Sequence, residues 1–136
     1  MVEVKNFLYC LNINTADGRT DIVGILTAIT PEYIPGLFSF SINFTLLNLT
    51  EGEHEVTIKF KNPENEIITS IDNVKLDYKK DENSNLPEQY LGINVAAGLQ
   101  NVDFKKSGVY STQVIVDGID MGNFKIFAKG KNEESW

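Results

Sequence analysis

The sequence predicts an all-β fold, an antiparallel β-sandwich of about seven to nine strands. Apolar and polar residues alternate with a period of two in several segments, and no apolar pattern with the helical period of about 3.6 persists. Glycine and proline interrupt the chain at intervals of roughly ten residues. A chain of 136 residues can bury the core of one domain without a metal or a disulfide. We expect one sandwich domain over residues 1–130 and a flexible C-terminal tail over residues 131–136.

The clearest alternation lies in LFSFSINFTL, where the phenylalanines and aliphatic residues at even positions of 38–46 share one face. The same pattern recurs in HEVTIKF, residues 54–60, and in the run around 91–95. In the intervening run, Val74, Leu76 and Tyr78 are expected to face the core. These runs predict half-buried antiparallel strands.

Turn residues separate these runs. TADGRTD, residues 15–21, and the polar stretch KKDENSNLPE, residues 79–88, are expected to be loops, the second being the most mobile in the chain. TPEYIPG is expected to form at most a short 3₁₀ turn. The N-terminal segment VEVKNFLYCLNIN changes its alternation near Lys5 and Asn6, which predicts a β-bulge.

A tyrosine begins the best-formed late strand. In SGVYSTQVIVDG, Tyr110 shares one face with Thr112, Val114 and Val116. The glycine two residues before the tyrosine supplies a turn. The tyrosine hydroxyl can then bind a backbone group at the corner, as in the tyrosine corner of Greek-key sandwiches. We therefore predict a buried Tyr110 whose hydroxyl is bound to the backbone.

This segment resembles the late strand of immunoglobulin-like domains, in which a cysteine follows the tyrosine by two residues. Thr112 stands at that position, and Cys10 is the only cysteine, so no disulfide can join the sheets. Over residues 31–129, the chain resembles a family of small bacterial and phage immunoglobulin-like proteins. The resemblance lies in the order of four segments, LFSFSINFTL, EGEHEVTIKFKNPENEII, GVYSTQVIVDG and NFKIFAKG. The resemblance implies an immunoglobulin-like, Greek-key β-sandwich, and it implies no established activity.

The chain is acidic, with a formal net charge of -7. Such a surface repels nucleic acid and anionic membranes, so neither is expected as a partner. No segment approaches the roughly 20 apolar residues that cross a membrane, and the start of the sequence lacks the features of a secretory signal. Cys10 lies in the apolar run FLYCLNI and is expected to be a buried small hydrophobe. We expect a cytoplasmic protein.

The sequence holds no clear catalytic or metal-binding pattern. His54 is the only histidine, and we expect a solvated residue at the start of a strand rather than a catalytic base. Zinc-type spacing of cysteine and histidine is absent. DGRTD and DGID each place two carboxylates in a loop, but Asp-Gly is a common hairpin turn, so we favour turns over calcium sites. No catalytic residue, metal ion or cofactor is predicted.

The site prediction depends on apolar residues that the alternation turns outward. In NFKIFAKG the even positions of 124–128 face the core, which turns Phe127 outward beside Lys125. Ile115 points outward from the preceding strand. If the two strands pair as a hairpin, Ile115 and Phe127 form a small apolar patch that Lys125 borders. The competing interpretation is that a loop covers these residues, or that they are isolated surface residues.

The sequence therefore predicts a non-enzymatic protein-interaction or assembly module. It would act through a sheet face or an edge strand, on a protein partner or on a second copy in a homodimer. The alternative is a carbohydrate-binding module, in which the rings of Tyr33, Tyr90 and Phe104 would form a platform for a sugar.

Overall fold

In a computed structural model, residues 1–133 are described, and they form a β-sandwich of two sheets. Within these residues no helix has the length and hydrophobicity that a membrane crossing requires. The strands are β1 (Glu3–Ala16), β2 (Arg19–Leu26), β3 (Ala28–Ile29), β4 (Gly36–Leu47), β5 (Gly52–Lys61), β6 (Ile67–Tyr78), β7 (Gly92–Phe104), β8 (Gly108–Val116) and β9 (Ile119–Ala128), with a 3₁₀ helix at Glu88–Tyr90.

The strand order is that of an immunoglobulin-like sandwich. One sheet has the order β2-β1-β4-β7, and the other has the order β3-β9-β8-β5-β6. Neighbouring strands are antiparallel, except that β3 runs parallel to β9. The pairing of β4 with β7, and of β8 with both β5 and β9, is the Greek-key arrangement of immunoglobulin domains, with β6 added beside β5. The predicted fold class is therefore confirmed.

Aromatic rings fill the space between the sheets. The centre of the core holds Phe40, Phe60, Phe104 and Tyr110, each no more than 1% exposed. The ring centroids of Phe104 and Tyr110 are 4.8 Å apart, and Phe60 stacks on Tyr110 at 5.6 Å. Such contacts add to the free energy of burial because the rings are large and interact through their quadrupoles. The inward faces predicted for residues 38–46, for 56–60 and for the strand that begins at Tyr110 are confirmed.

The predicted tyrosine corner is present. The Tyr110 hydroxyl donates a hydrogen bond to the carbonyl oxygen of Lys106 at 2.6 Å. Gly108 has φ +151°, and a Cβ at that position would lie 2.8 Å from Cγ of Pro63. The glycine is therefore needed both for its backbone conformation and for the close approach of the proline ring. The turn, the glycine and the tyrosine together fix where β8 begins.

A second tyrosine joins the two sheets. Tyr9 on β1 donates its hydroxyl proton to the carbonyl oxygen of Phe124 on β9 at 2.7 Å. The same hydroxyl lies 2.6 Å from Oγ1 of Thr112 on β8. Because Tyr9 has a single hydroxyl proton, Thr112 is the donor of the second bond. Thr112 is fully buried and stands where immunoglobulin domains carry a disulfide cysteine, and here its hydroxyl takes part in a hydrogen bond between the sheets.

The structure adds a strand that the sequence analysis did not predict. Asp17 and Gly18 have φ of +53° and +72°, the conformation of a two-residue type I′ turn, and β2 follows at once. The predicted loop over 15–21 is therefore wrong. Because β1 pairs with β4 only as far as Cys10, residues 11–16 and 19–24 pair only with each other. We call this two-stranded projection, residues 11–24, the ribbon.

Smaller differences follow from the sheet edges and from the bulges. The register of β1 shifts between Lys5 and Leu8, and Asn6 has φ +56°, which confirms the predicted bulge. Tyr78 is buried as expected, but Val74 is 39% exposed because β6 is an edge strand with only β5 beside it. The segment TPEYIPG forms bends rather than a 3₁₀ turn, and the 3₁₀ helix lies at the end of the predicted polar loop.

The C-terminal boundary lies later than predicted. The Asn132 side chain accepts a hydrogen bond from the Ile34 amide at 3.1 Å and donates one to the Ile34 carbonyl at 3.3 Å. The Lys131 amide donates to the carbonyl of Pro31 at 2.8 Å. The packed domain therefore continues to residue 133 rather than ending at 130, and the rest of the predicted tail, residues 134–136, lies outside the described residues.

We expect Tyr9→Phe to lower the free energy of unfolding by about 2 kcal/mol, because the buried Thr112 hydroxyl and the Phe124 carbonyl both lose this partner. Urea denaturation followed by circular dichroism measures this loss. Tyr33→Phe is the matched control, because Tyr33 is 68% exposed, and we expect it to change stability by less than about 0.5 kcal/mol. Equal stability of the two variants would contradict the role assigned to Tyr9.

Candidate interaction surface

The two apolar residues of the predicted patch face outward but lie at opposite ends of the β8–β9 hairpin. Ile115 pairs with Asp120 beside the turn, whereas Phe127 pairs with Val109 at the start of β8. Residues 109 and 115 are separated by about 20 Å along the strand. The prediction that Ile115 and Phe127 form one patch is therefore wrong. The two-residue turn at Asp117 leaves Ile115 only two positions from the end of the hairpin.

Phe127 has different apolar neighbours. On the outer, solvent-facing side of the five-stranded sheet, Phe127 of β9 lies between Val109 of β8 and Ala28 of β3. Phe127 is 37% exposed and Val109 is 46% exposed. Cross-strand partners have their Cβ atoms about 5 Å apart, so these side chains form one continuous surface. We call Ala28, Phe127 and Val109 the apolar row.

Lysines border the apolar row on the same face. Lys125 of β9 pairs with Ser111 of β8, which pairs in turn with Lys61 of β5. Two positions further along the strands, Lys59 of β5 pairs with Gln113 of β8. Lys59 and Lys61 are about 7 Å apart along β5, and two strand spacings place Lys61 about 10 Å from Lys125. We call Lys59, Lys61 and Lys125 the lysine cluster.

The lysine cluster has no acidic partner within residues 1–133. The ion pairs of this part of the chain involve other cations, such as Arg19 with Asp21 and Lys75 with Glu53. Asp72 lines a shallow groove together with Lys59, but its carboxylate accepts the Ser70 hydroxyl at 3.0 Å instead. The three ammonium groups therefore carry positive charge on the sheet face that no ion pair within residues 1–133 neutralises.

His54 is not the solvated residue that the sequence analysis predicted. It is 7% exposed, its Nδ1 lies 2.7 Å from Oδ2 of Asp117, and its Nε2 lies 2.6 Å from the carbonyl oxygen of Thr50. Because both ring nitrogens face acceptors, both are donors and the imidazolium form is favoured. The bond to Asp117, then the bond to Thr50, raises the pKa of His54, while burial opposes this.

The His54–Asp117 pair joins the start of β5 to the β8–β9 turn. The Asp117 carboxylate also accepts the amide of Glu55 at 2.8 Å, and the Asp117 amide donates to the Glu55 carbonyl at 2.8 Å. The bond from His54, followed by the bond from Glu55, lowers the pKa of Asp117. With both nitrogens donating to fixed acceptors, His54 has none left to accept a proton from a substrate. The contact spans 63 positions, so the sequence alone carried no signal for it.

The loops considered for calcium are turns. Asp117 and Gly118 have φ of +52° and +79°, the same type I′ geometry as Asp17 and Gly18, so the turn interpretation is confirmed. Asp21 pairs with Arg19 at 3.1 Å, and Asp117 is bound to His54. Within the described part of the chain, no three acidic, histidine or cysteine side chains are grouped so as to hold a metal ion.

The aromatic platform predicted for carbohydrate binding does not form. Phe104 is fully buried in the core, while Tyr33 and Tyr90 are exposed. Tyr33 precedes β4, whose Gly36 pairs with Phe104 at one end of β7, and Tyr90 immediately precedes the other end of β7. A strand of this length spans about 40 Å, so the two tyrosines cannot contact one sugar ring together.

Residues 5–129 match DUF6941, a family of unknown function. The sequence matches no curated protein. The structure is similar to that of the Pseudomonas fluorescens alkylpurine DNA glycosylase AlkC, solved bound to DNA containing an abasic site analogue, with a TM-score of 0.54 and 9% identity. The match covers 94% of this chain and only 30% of the glycosylase. At this identity the similarity shows the fold alone.

A second solved structure is an immunoglobulin-like protein from Pseudomonas aeruginosa. Its TM-score is 0.46 at 9% identity, and the match covers 95% of this chain and 97% of that chain.

The His54–Asp117 pair predicts that stability depends on pH. The raised pKa of His54 means that its contribution is fully present below the unfolded value of 6.5 and is lost as the pH rises through the folded pKa. The lowered pKa of Asp117 means that its contribution is present above 3.8 and is lost as the pH falls through the folded pKa. The pair therefore stabilises the fold most strongly between these two limits.

Urea denaturation of wild type and His54→Gln at about pH 5.5 and pH 9 tests this prediction. His54 is the only histidine, so no other histidine contributes to the difference between these pH values. We expect His54→Gln to be destabilising at the lower pH and less so at the higher pH. The same destabilisation at both pH values would show that the charge of the His54–Asp117 pair contributes nothing to the free energy of unfolding.

Proposed function

We propose that this chain, which belongs to the DUF6941 family of unknown function, is a non-enzymatic protein-binding module that acts through the outer face of its five-stranded sheet. The observation that carries the proposal is the apolar row. Phe127 and Val109 are directly opposite each other on adjacent strands and are 37% and 46% exposed. Adjacent exposed apolar side chains with a charged border are typical of the centre and rim of a protein interface.

The sheet face suits binding because its strands are held in place before a partner arrives. The Tyr110 hydroxyl fixes the start of β8, and Asp117 ties the far end of the hairpin to β5. Thr112, on the inner side of β8, is bound to Tyr9 on the opposite sheet. A face that is already ordered loses little conformational entropy on binding, so more of the interaction free energy appears as affinity.

A second candidate surface is the ribbon, which supports assembly through an edge strand. Leu11 and Val23 of the ribbon and Ile25, the next outward residue of β2, are 51%, 45% and 66% exposed, and β2 pairs with no strand other than β1 among the described residues. The free edge of β2 carries no charge from Ile22 to Leu26. An isolated two-stranded ribbon is only marginally stable in water, and an uncharged edge is open to pairing with another strand.

We expect Val109→Ser combined with Phe127→Ser to weaken partner binding by about tenfold or more, because both side chains would be buried in the interface. The measurement begins with affinity capture from a lysate of the native host. The captured protein is then purified, and its Kd is determined by isothermal titration calorimetry. The thermal unfolding midpoint of the double variant should stay close to that of wild type, because neither side chain belongs to the core.

The matched control is Val23→Ser combined with Ile25→Ser on β2, at and beside the ribbon, which changes two similarly exposed apolar residues. Binding that survives the control and is lost by the Val109/Phe127 variant supports the outer face. The reverse pattern would favour the ribbon as the binding surface, and binding that survives in both variants would contradict both surfaces. Sedimentation velocity of the purified wild type shows in parallel whether the partner is a second copy of the chain.

A further inference from the structure

The lysine cluster is an unusual feature on this chain because its charge opposes that of the whole molecule. The formal net charge is -7, so setting aside the three positive charges of the cluster leaves -10 on the remaining residues. The three lysines lie on one face at strand positions about 7 to 12 Å apart, and their charges repel each other. None of them is in an ion pair within residues 1–133. An anionic group placed over the cluster would relieve that repulsion.

The positions between the lysines are polar but uncharged. Ser111 lies between Lys61 and Lys125, and Gln113 lies beside Lys59. Their hydroxyl and amide groups can donate or accept hydrogen bonds with a peptide backbone. The apolar row begins at the next outward-facing position on each strand of the hairpin, with Val109 and Phe127. The face therefore offers cationic, polar and apolar contacts in adjacent rows.

The spacing of the cluster fits an extended peptide. Lys59 and Lys61 are two positions apart on β5, about 7 Å, which is also the distance between alternate side chains of any extended segment. Two carboxylates at positions i and i+2 of such a segment could each meet one of these lysines, and Lys125 lies about 10 Å away across the sheet. An apolar side chain of the same segment could then contact Phe127.

We propose that the segment bound by this face is acidic, an extended protein segment in which aspartate or glutamate side chains lie over Lys59, Lys61 and Lys125 and an apolar side chain contacts the apolar row. This inference rests on the proposed function of the same face and adds the chemistry of the partner. The remaining surface is acidic on balance and repels such a segment, so the cluster also sets where the segment binds and in which orientation.

A long polyanion fits this face less well than a short acidic segment. Glu55 and Asp72 line the shallow groove beside Lys59, and Asp120 lies at the turn end of the hairpin. A nucleic acid that extended past the cluster in this direction would bring its phosphates close to these carboxylates. A segment with two or three acidic residues would occupy the cluster alone.

The test is selection from a random dodecapeptide display library on the immobilised full chain, with sequencing of the recovered peptides. We expect the enriched peptides to carry a net negative charge and at least one large apolar residue. Synthetic peptides chosen from this set are then measured by fluorescence anisotropy against wild type and three variants. We expect Lys59→Gln, Lys61→Gln and Lys125→Gln together to raise Kd about tenfold, the effect of losing three charge pairs at the protein surface.

The matched control removes the same charge elsewhere, with Lys5→Gln, Lys79→Gln and Lys105→Gln together. These lysines lie outside the cluster and are exposed. We expect this variant to bind the selected peptides with a Kd within about twofold of the wild-type value. A loss as large as that of the cluster variant would show that only net charge matters, and it would overturn the inference.

The other outcomes separate this inference from the proposed function. Peptides that are neutral or basic, that bind the lysine variant normally and that are lost by the Val109→Ser, Phe127→Ser variant would overturn the acidic partner and keep the binding face. Peptides that bind both variants as they bind wild type, or no enrichment at all, would overturn both. A labelled 20-nucleotide single-stranded DNA that binds wild type more tightly than the selected peptides, and is lost by the lysine variant, would also overturn the inference.

Discussion

The rest of the structure depends on the hydrogen bonds of the Tyr9 hydroxyl, which join the two sheets. One bond reaches Thr112 in the middle of β8, and the other reaches the Phe124 carbonyl on β9, so one side chain from the first strand ties down both strands of the last hairpin. With only one cysteine in the chain, no disulfide can do this. Because Tyr9 is 5% exposed and Thr112 is fully buried, water competes little for the bond between them.

The contacts of the inward-facing side chains also determine which residues lie on the outer face of the five-stranded sheet. Thr112 points inward to Tyr9, and therefore its neighbours Ser111 and Gln113 point outward between the lysines. Tyr110 anchors one end of β8 at the Lys106 carbonyl, and Asp117 holds the other end against β5. The positions of charged and apolar side chains on the face are thus set by buried groups, so the face is already ordered without a partner.

The sequence was sufficient for the fold class but not for the site. Alternation identified the inward faces, and the Gly108–Tyr110 spacing identified the corner, because both depend on local geometry. Alternation did not predict β2, because this edge strand is largely exposed on both faces and therefore has no clear apolar period. The alternation also did not show that Ile115 and Phe127 lie at opposite ends of the hairpin, or that His54 is buried against Asp117. Both facts depend on cross-strand register and on contacts between distant residues, which arise only when the sheets assemble.

NMR can test whether the outer face of the five-stranded sheet binds an acidic segment, as we propose. The measurement is a titration of the ¹⁵N-labelled chain with a selected acidic peptide, followed by amide chemical shifts. We expect the largest changes in amide chemical shift at Lys61, Ser111, Lys125 and Phe127, with the opposite sheet nearly unchanged. Largest shifts on the ribbon, residues 11–24, or on β4 and β7 would contradict it.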